Sequence, residues 1–445
     1  MSANGTDRGI AERGMGMGLR ALNALAGSEL LDRVHARKRF ERVVYRSTKS
    51  GFRSATAAGR TFKAAQQLGR PARQAPGKPR ALFDVTPDEE QQMFQEAVRG
   101  YAAEKVRPAA MDADAARATP TELLAQASEL GINTLGVPEE LGGVMQEQAA
   151  VTSVLVGEAL AHGDMGIAYA ALAPGGAAAA IGYWGDERQQ ASYLPAFTGE
   201  HPPAAALCVL EPRPLFDPLK LQTKARRDGE DWILDGAKAL VARAGDCELF
   251  VVAADAAGIG PALFVLESSA TGLSVQDEAA MGLRAATTGR LLLEDVRVPA
   301  GALIAEAQGD AYAECVQRAR LAWSALAVGT AQAVLDYVIP YVKDRRAFGE
   351  PIANRQAVAF AVADVAIETA GMRLATYRAA GRADQGKGFA REAALARQLC
   401  AKHGMRIGSE GVQLLGGHGY IKEHPVERWY RDLRAAGVME GALLV

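Results

Sequence analysis

The sequence predicts an α+β fold in three parts, a helical domain, a middle β-domain and a second helical region. Three observations carry that expectation. From about residue 86 to 200 apolar residues recur at three- and four-residue steps. Between about 205 and 305 that period is lost, and short runs rich in Val, Leu and Phe alternate with Asp, Gly and Pro turns. Past Ala305 long Ala/Leu/Val stretches bring the helical period back. The composition agrees with a packed protein: of 445 residues 49% are apolar and 23% charged, and 47 Gly and 19 Pro are too few for a collagen-like, low-complexity or disordered chain.

Residues 1–80 form a basic extension, with 17 Lys and Arg against five Asp and Glu, whereas the other 365 residues hold 33 against 47. Leu19, Leu22, Leu25 and then Leu30, Leu31, Val34 predict two short helices broken near Gly27. Phe40, Val43, Val44, Phe52 and Phe62 lie among Arg and Lys. Charge and interspersed apolar groups are the two ingredients of peripheral attachment to an anionic membrane. A solvated arm, an arm packed on the acidic body and an organelle-targeting peptide remain alternatives. The expected location is cytoplasmic, with contact at the inner face of the membrane. Nucleic acid is not an expected partner, because no binding motif accompanies the charge and the acidic body repels phosphates. No run of about 18 uninterrupted apolar residues exists, so no transmembrane helix is expected, and the N-terminus lacks the continuous apolar core of a secretory signal. Gly69 to Pro79, with three prolines, reads as a linker.

The helical domain, 81–204, opens at Thr86-Pro-Asp-Glu-Glu90, with Thr86 as expected N-cap and Pro87 at the first position. Interruptions are expected at Gly131, Gly142-Gly143 and Pro174-Gly-Gly176. In the β-domain, 205–305, strands are expected at Leu249–Val252, Ala262–Leu266, Leu273–Val275 and Arg290–Val298, with a hairpin at Asp228-Gly-Glu-Asp231. In the last region, 306–445, helices are expected over Ala311–Ala347, Arg355–Ala383 and Ala390–Leu415. Four dispersed cysteines without a CxxC pair argue against a disulfide scaffold and fit a reducing compartment. Six scattered histidines supply no metal-ligand spacing, so no metal is expected.

Several strings resemble the acyl-CoA dehydrogenase family. They are Leu135-Gly-Val-Pro-Glu-Glu-Leu-Gly-Gly143, Glu294-Asp-Val-Arg-Val-Pro299, Arg345-Arg-Ala-Phe-Gly349 with Gln356, Gln413-Leu-Leu-Gly-Gly-His-Gly-Tyr420 and Pro425-Val-Glu-Arg-Trp-Tyr-Arg-Asp432, in the family's order over roughly residues 85–445. The resemblance implies a helical domain, a β-domain and a C-terminal four-helix bundle, an FAD cofactor, an acyl-CoA substrate, an electron-transfer flavoprotein as partner, and a homodimer or homotetramer. It places Gln413 and Gly417 on the pyrophosphate and adenosine end of a neighbouring subunit's FAD, with Arg345 on phosphate and Phe348 and Gln356 beside the adenine. Locally the same strings also read as helix ends, glycine supplying a left-handed residue and the Arg pair a cation at the negative terminus.

Val438-Met-Glu-Gly-Ala442 stands where the family carries its catalytic glutamate, so the resemblance makes Glu440 the general base. A carboxylate in a dry pocket suits removal of a weakly acidic α-proton, since desolvation raises its pKa. Gly441 would keep the approach open. Some members carry the base just before an arginine, and here that place is Ala319 before Arg320. Arg320 and Gly441 are expected near the substrate. Three departures are visible. Leu210-Glu-Pro-Arg-Pro-Leu-Phe-Asp217 replaces a loop of small and hydroxyl residues around flavin. Lys238-Ala-Leu-Val-Ala-Arg-Ala-Gly245 replaces a strand whose aromatic ring and threonine face the isoalloxazine. Ala442 stands in place of a threonine, and the sequence reaches only Val445 where the family continues into a further helix. The expected function is FAD-dependent dehydrogenation of an acyl-CoA thioester; the alternative is a non-catalytic assembly subunit pairing with an active paralogue.

Overall fold

The computed structural model describes residues 87–143 and 149–443. The basic extension, its helices, the linker and Thr86 lie outside the described residues. The first helix among the described residues, α1 (Glu89–Tyr101), begins later than expected, because Asp88 is its N-cap. The Asp88 carboxylate accepts from the Gln91 N–H at 2.8 Å and the Gln91 side chain accepts from the Asp88 N–H at 3.1 Å, a reciprocal capping box.

The helical domain continues through α2 (Arg107–Ala116), α3 (Thr121–Glu129), α4 (Ala149–Gly163), α5 (Met165–Trp184) and α6 (Glu187–Phe197). Gly131 and Gly142 are left-handed, as turn residues there require. The expected break at Pro174-Gly-Gly176 is absent, and α5 runs through it. Packing overrides local propensity here. The segment 132–136 presses on the helix so closely that a Cβ on Gly136 would lie 2.5 Å from the Gly175 carbonyl oxygen and 2.2 Å from the Ala179 nitrogen. Contrary to the sequence expectation, helix α5 and the later helix Asp310–Asp344 are, by length and composition, apolar enough to cross a membrane; the apolar stretch of each is largely buried within the fold.

Eight strands build one sheet: β1 (Ala205–Cys208), β2 (Lys224–Asp228), β3 (Asp231–Val241), β4 (Leu249–Ala256), β5 (Gly260–Glu267), β6 (Leu273–Asp277), β7 (Gly289–Val298) and β8 (Leu303–Gln308). The order is β6-β7-β3-β2-β4-β5-β8, and β1 lies parallel to the start of β4. The hairpin at 228–231 forms as expected, with Asp228 opposite Asp231 and Gly229 left-handed. Strand β4 is buried on both faces. Leu249, Val251 and Ala253 enter the helical core, while Phe250, Val252 and Ala254 enter the core of the β-domain. This explains its continuous apolar run in place of an alternating one.

Three long helices follow, α7 (Asp310–Asp344), α8 (Gln356–Asp384) and α9 (Ala390–Leu415), and two short ones, α10 (Val426–Asp432) and α11 (Ala435–Val438). Helix α7 stops three residues before the expected Ala347, because β9 (Arg346–Ala347) and β10 (Glu350–Pro351) form a small hairpin. Helix α10 ties distant parts together. Arg428 Nε bonds Asp164 Oδ2 at 2.8 Å, and Arg431 grips both oxygens of Asp114 at 2.9 and 3.0 Å. Asp432 Oδ1 accepts from the Leu283 N–H at 2.7 Å.

Because Arg428 and Asp164 are 8% and 1% exposed, Arg428→Ala leaves a buried carboxylate without its partner. The expected loss is about 3–5 kcal/mol in unfolding free energy, read by urea denaturation.

Candidate functional site

Glu440 sits where several elements meet. Helix α11 ends at Val438, Met439 is extended, Glu440 is left-handed (φ 56°) and Gly441 follows at φ 107°. A left-handed glutamate is uncommon and persists only where its surroundings over-determine it. Two buried guanidinium groups do so. Arg320 Nε on α7 donates to the Glu440 carbonyl at 3.0 Å, and an Arg397 Nη2 on α9 donates to the carbonyls of Met439, at 2.9 Å, and Gly441. The Ala442 N–H donates to the Phe216 carbonyl at 2.9 Å, stitching this turn to the loop after β1.

Gly441 does not leave an open approach as the sequence suggested. A Cβ there would lie 2.8 Å from Pro218 Cδ and 3.0 Å from both Arg320 Nη2 and the Phe216 carbonyl oxygen, so the glycine is required by close packing.

The Glu440 side chain is 6% exposed and lines a cavity of about 210 Å³ between α4, α5, α7 and β1. The walls are mostly apolar, with Leu207, Leu326, Tyr169 and Trp323 among them. Burial raises the carboxyl to about 6, against the opposing pull of the nearby Trp323 indole and of the charges on Arg320, Arg397 and Lys238. Glu440 Oε2, Arg320 Nη2 and Arg397 Nε are all buried without a hydrogen-bond partner. Of the three residues only Glu440 lines the cavity, so its Oε2 is the acceptor that a ligand there would meet, while Arg320 and Arg397 stand behind the turn and not on the cavity wall where the sequence expected Arg320. Ala319, the alternative position for a base, lines the same cavity with no titratable group.

A buried ion pair fixes the neighbouring loop. Lys238 Nζ on β3 lies 3.1 Å from Glu211 Oε1, and the two side chains are 0% and 3% exposed. Burial lowers Lys238 to about 8. For Glu211 burial pushes upward, but Lys238 and the Thr223 and Gln222 N–H groups outweigh it and hold the carboxyl below its usual range. Leu240, where the sequence lacks the expected ring, is left-handed (φ 51°) at an irregularity in the β3–β7 pairing. Its N–H donates to Glu278 Oε2 at 2.7 Å and its carbonyl accepts from the Tyr169 hydroxyl at 2.9 Å.

The other sequence-derived residues form a separate, exposed set. Arg345 caps the C-terminus of α7, Phe348 is 94% exposed at the tip of the β9–β10 hairpin beneath the Arg355 guanidinium, and Gln356 opens α8. Gln413 and Gly417 are exposed at the end of α9, and nothing lies within 4 Å of where a Gly417 Cβ would be. The Tyr341 hydroxyl near the end of α7 bonds Leu415 O and His418 Nδ1, which places both groups at one end of the helices. Reading strings in isolation missed Arg397, Trp323 and Tyr169. None belongs to a quoted motif, and only the packing of α5, α7 and α9 brings them to Glu440.

Family models describing the N-terminal, middle and C-terminal domains of acyl-CoA dehydrogenase match residues 88–200, 206–296 and 309–443. A probable acyl-CoA dehydrogenase, YngJ, of Bacillus subtilis is 32% identical over 369 residues, 81% of this chain and 96% of that protein. The chain belongs to the acyl-CoA dehydrogenase family. Acyl-CoA dehydrogenases are oxidoreductases that use FAD. Among solved structures, butyryl-CoA dehydrogenase of Megasphaera elsdenii superposes with a TM-score of 0.75 at 28% identity, over 81% of this chain and 97% of that one. A glutaryl-CoA dehydrogenase of Mycobacterium smegmatis in complex with FADH2 gives 0.74 at 25% identity, over 80% and 92%.

For this acyl-CoA dehydrogenase the packing around Gly441 makes a direct prediction. Gly441→Ala strains a backbone that only glycine adopts freely and collides with Pro218, so stability should fall by about 1–3 kcal/mol. Urea denaturation checks it, and a change within about 0.5 kcal/mol would mean that the turn can shift freely.

Proposed function

We propose that this acyl-CoA dehydrogenase converts a fatty acyl-CoA thioester to the trans-2-enoyl-CoA, with Glu440 as general base and electrons leaving to an electron-transfer flavoprotein. The observation that carries it is the Glu440 carboxylate, buried on the wall of an apolar cavity, raised to about 6 and with Oε2 unpartnered. The cavity excludes water from the acyl chain, and the carboxylate takes the α-proton onto Oε2. The Glu440 N–H, held by the Arg320 and Arg397 clamps on its turn, serves as donor to the thioester carbonyl as enolate charge develops.

The exposed residues fit the adenosine end of FAD. Arg345, Phe348, Gln356, Gln413 and Gly417 are exposed and would hold the adenosine and pyrophosphate end of the cofactor of a neighbouring subunit. Bound FAD supplies an acceptor for the β-hydrogen and its electron pair. Assembly is supported by α8, where Phe360, Ile367 and Leu374 recur every seven residues and are 61%, 69% and 65% exposed, an uncovered apolar stripe suited to a second copy in a homodimer or homotetramer.

Pro214, Leu215 and Phe216 in the loop and Leu240 and Ala242 on the strand favour a second reading, since they stand where small, hydroxyl and ring contacts to flavin are expected. In that reading the chain is an assembly subunit pairing with an active paralogue. The visible spectrum of the purified full-length protein separates the two. A flavin band that bleaches on anaerobic titration with acyl-CoAs supports the dehydrogenase, and the chain length that bleaches it names the substrate. A protein that stays colourless with added FAD overturns it.

Glu440→Gln should retain flavin and lose several orders of magnitude in turnover, because the amide cannot accept a proton. The base acts ionised and its pKa is raised, so activity disappears as pH falls through that value. The expected kcat/KM profile is level above about pH 6 and drops about tenfold per unit below it.

A further inference from the structure

Gly176 lies in the middle of α5, where glycine makes a helix less stable than alanine would. Its neighbour Gly175 has a packing reason, because a Cβ there would lie 3.1 Å from the Ile132 carbonyl oxygen. Gly176 has no such reason. Its φ is not left-handed, and beyond the backbone of its own turn no atom of the described residues lies within 4 Å of where its Cβ would stand. The residue lines the cavity that Glu440 shares. So do Tyr169, Leu172, Ala173, Ala180 and Tyr183, which flank it at three- and four-residue steps on one face of the helix. That face is bulky at both ends and bare at its centre.

At one end the Tyr169 ring packs on Trp323 of α7, with centroids 4.7 Å apart. At the other the Arg318 guanidinium, also from α7 and bonded to Glu314 Oε1 at 2.8 Å, sits 4.3 Å from the centre of the Tyr183 ring. Glu440 belongs to the first end. Arg320, which donates to its carbonyl, precedes Trp323 by one helical turn. Burial is the leading influence on both tyrosine hydroxyls, and the charge that follows it is that of Glu440 at Tyr169 and of Arg318 at Tyr183. Gly176 is seven residues from each tyrosine, about 10 Å along the helix axis.

We infer that Gly176 is a specificity-determining residue, the room left by its missing side chain receiving the far end of an apolar acyl chain of about eight carbons whose α-carbon stands at Glu440. This rests on the reading of an acyl-CoA as substrate and of Glu440 as base. Two measures set the length. A cavity of about 150 Å³ takes up benzene, with its six carbons, so about 210 Å³ holds roughly eight. An extended chain advances about 1.1–1.2 Å per bond, so about eight bonds span the distance of about 10 Å from the Tyr169 end to Gly176.

The full-length protein with added FAD tests it. The parent should give a higher kcat/KM with octanoyl-CoA than with butyryl-CoA, and Gly176→Leu, which puts a good helix former into the room, should lower that ratio at least about tenfold. Gly176→Ala should lower it by less and raise the urea midpoint, since alanine favours the helix and its methyl enters open space. That variant keeps the test open if Gly176→Leu does not fold. A measurement without turnover uses the thioethers S-octyl-CoA and S-butyl-CoA, which have no carbonyl and so no acidic α-proton. By calorimetry Gly176→Leu should weaken the octyl compound about tenfold more than the butyl one. A parent that prefers butyryl-CoA, an equal loss for both chain lengths, or a lower midpoint in Gly176→Ala overturns the proposal. Thioether binding with this length dependence, in a protein that turns over neither thioester, would instead remove the dehydrogenase reading and leave Gly176 as the residue that limits chain length.

Discussion

The buried charge cluster on α10 is the constraint on which the rest of the arrangement depends. Seven residues of helix, Val426–Asp432, bind a carboxylate on α2, the N-cap of α5 and a loop of the β-domain. The approach is so tight that a Cβ on Gly282 would lie 2.7 Å from the Arg431 carbonyl oxygen. Charges are worth burying only in such a network, where every partner is also hydrogen-bonded. The cluster carries an internal tension. Burial, followed by the charge of Asp164, raises Asp432 to about 7, while Arg431, Arg428 and the Leu283 N–H pull it down. Since α10 leads through α11 into Met439 and Glu440, the carboxylate facing the cavity takes its position from contacts made well before it in the chain.

Much of this was legible in the sequence. The three-part order, the hairpin at 228–231 and the span of α9 follow from periodicity and turn chemistry, which act over a few residues. What could not be read is what distant segments impose on one another. Pro174-Gly-Gly176 has every local sign of a break, yet α5 continues, with Gly136 of the segment 132–136 packed against its backbone at Gly175 and Ala179. Arg345-Arg346 resembles a helix terminus and is one only at its first residue, the second already belonging to a hairpin. At the site, Glu440 was found through a motif, but Arg397, Tyr169 and Trp323 are ordinary residues of long helices until those helices meet.

The turn at Glu440 shows how strain and support are divided. Glu440 and Gly441 are both at positive φ. The support comes from side chains on α7 and α9 that donate to backbone carbonyls, so the carboxylate is left out of the scaffolding. Backbone restraint and side-chain chemistry are thereby separated. The residue is immobilised through its peptide groups, and its charge is set by burial, by one indole and by three cations.

Strand β4 carries a different kind of consequence. Its odd-numbered side chains belong to the helical core and its even-numbered ones to the β core, so a single stretch of backbone is the shared wall of both. A one-residue slip would exchange the two sets, placing Phe250 among the helices and Val251 inside the sheet. Neither core can therefore melt while the other stays intact, and what looks like a chain of separate domains behaves, in cooperativity, as one.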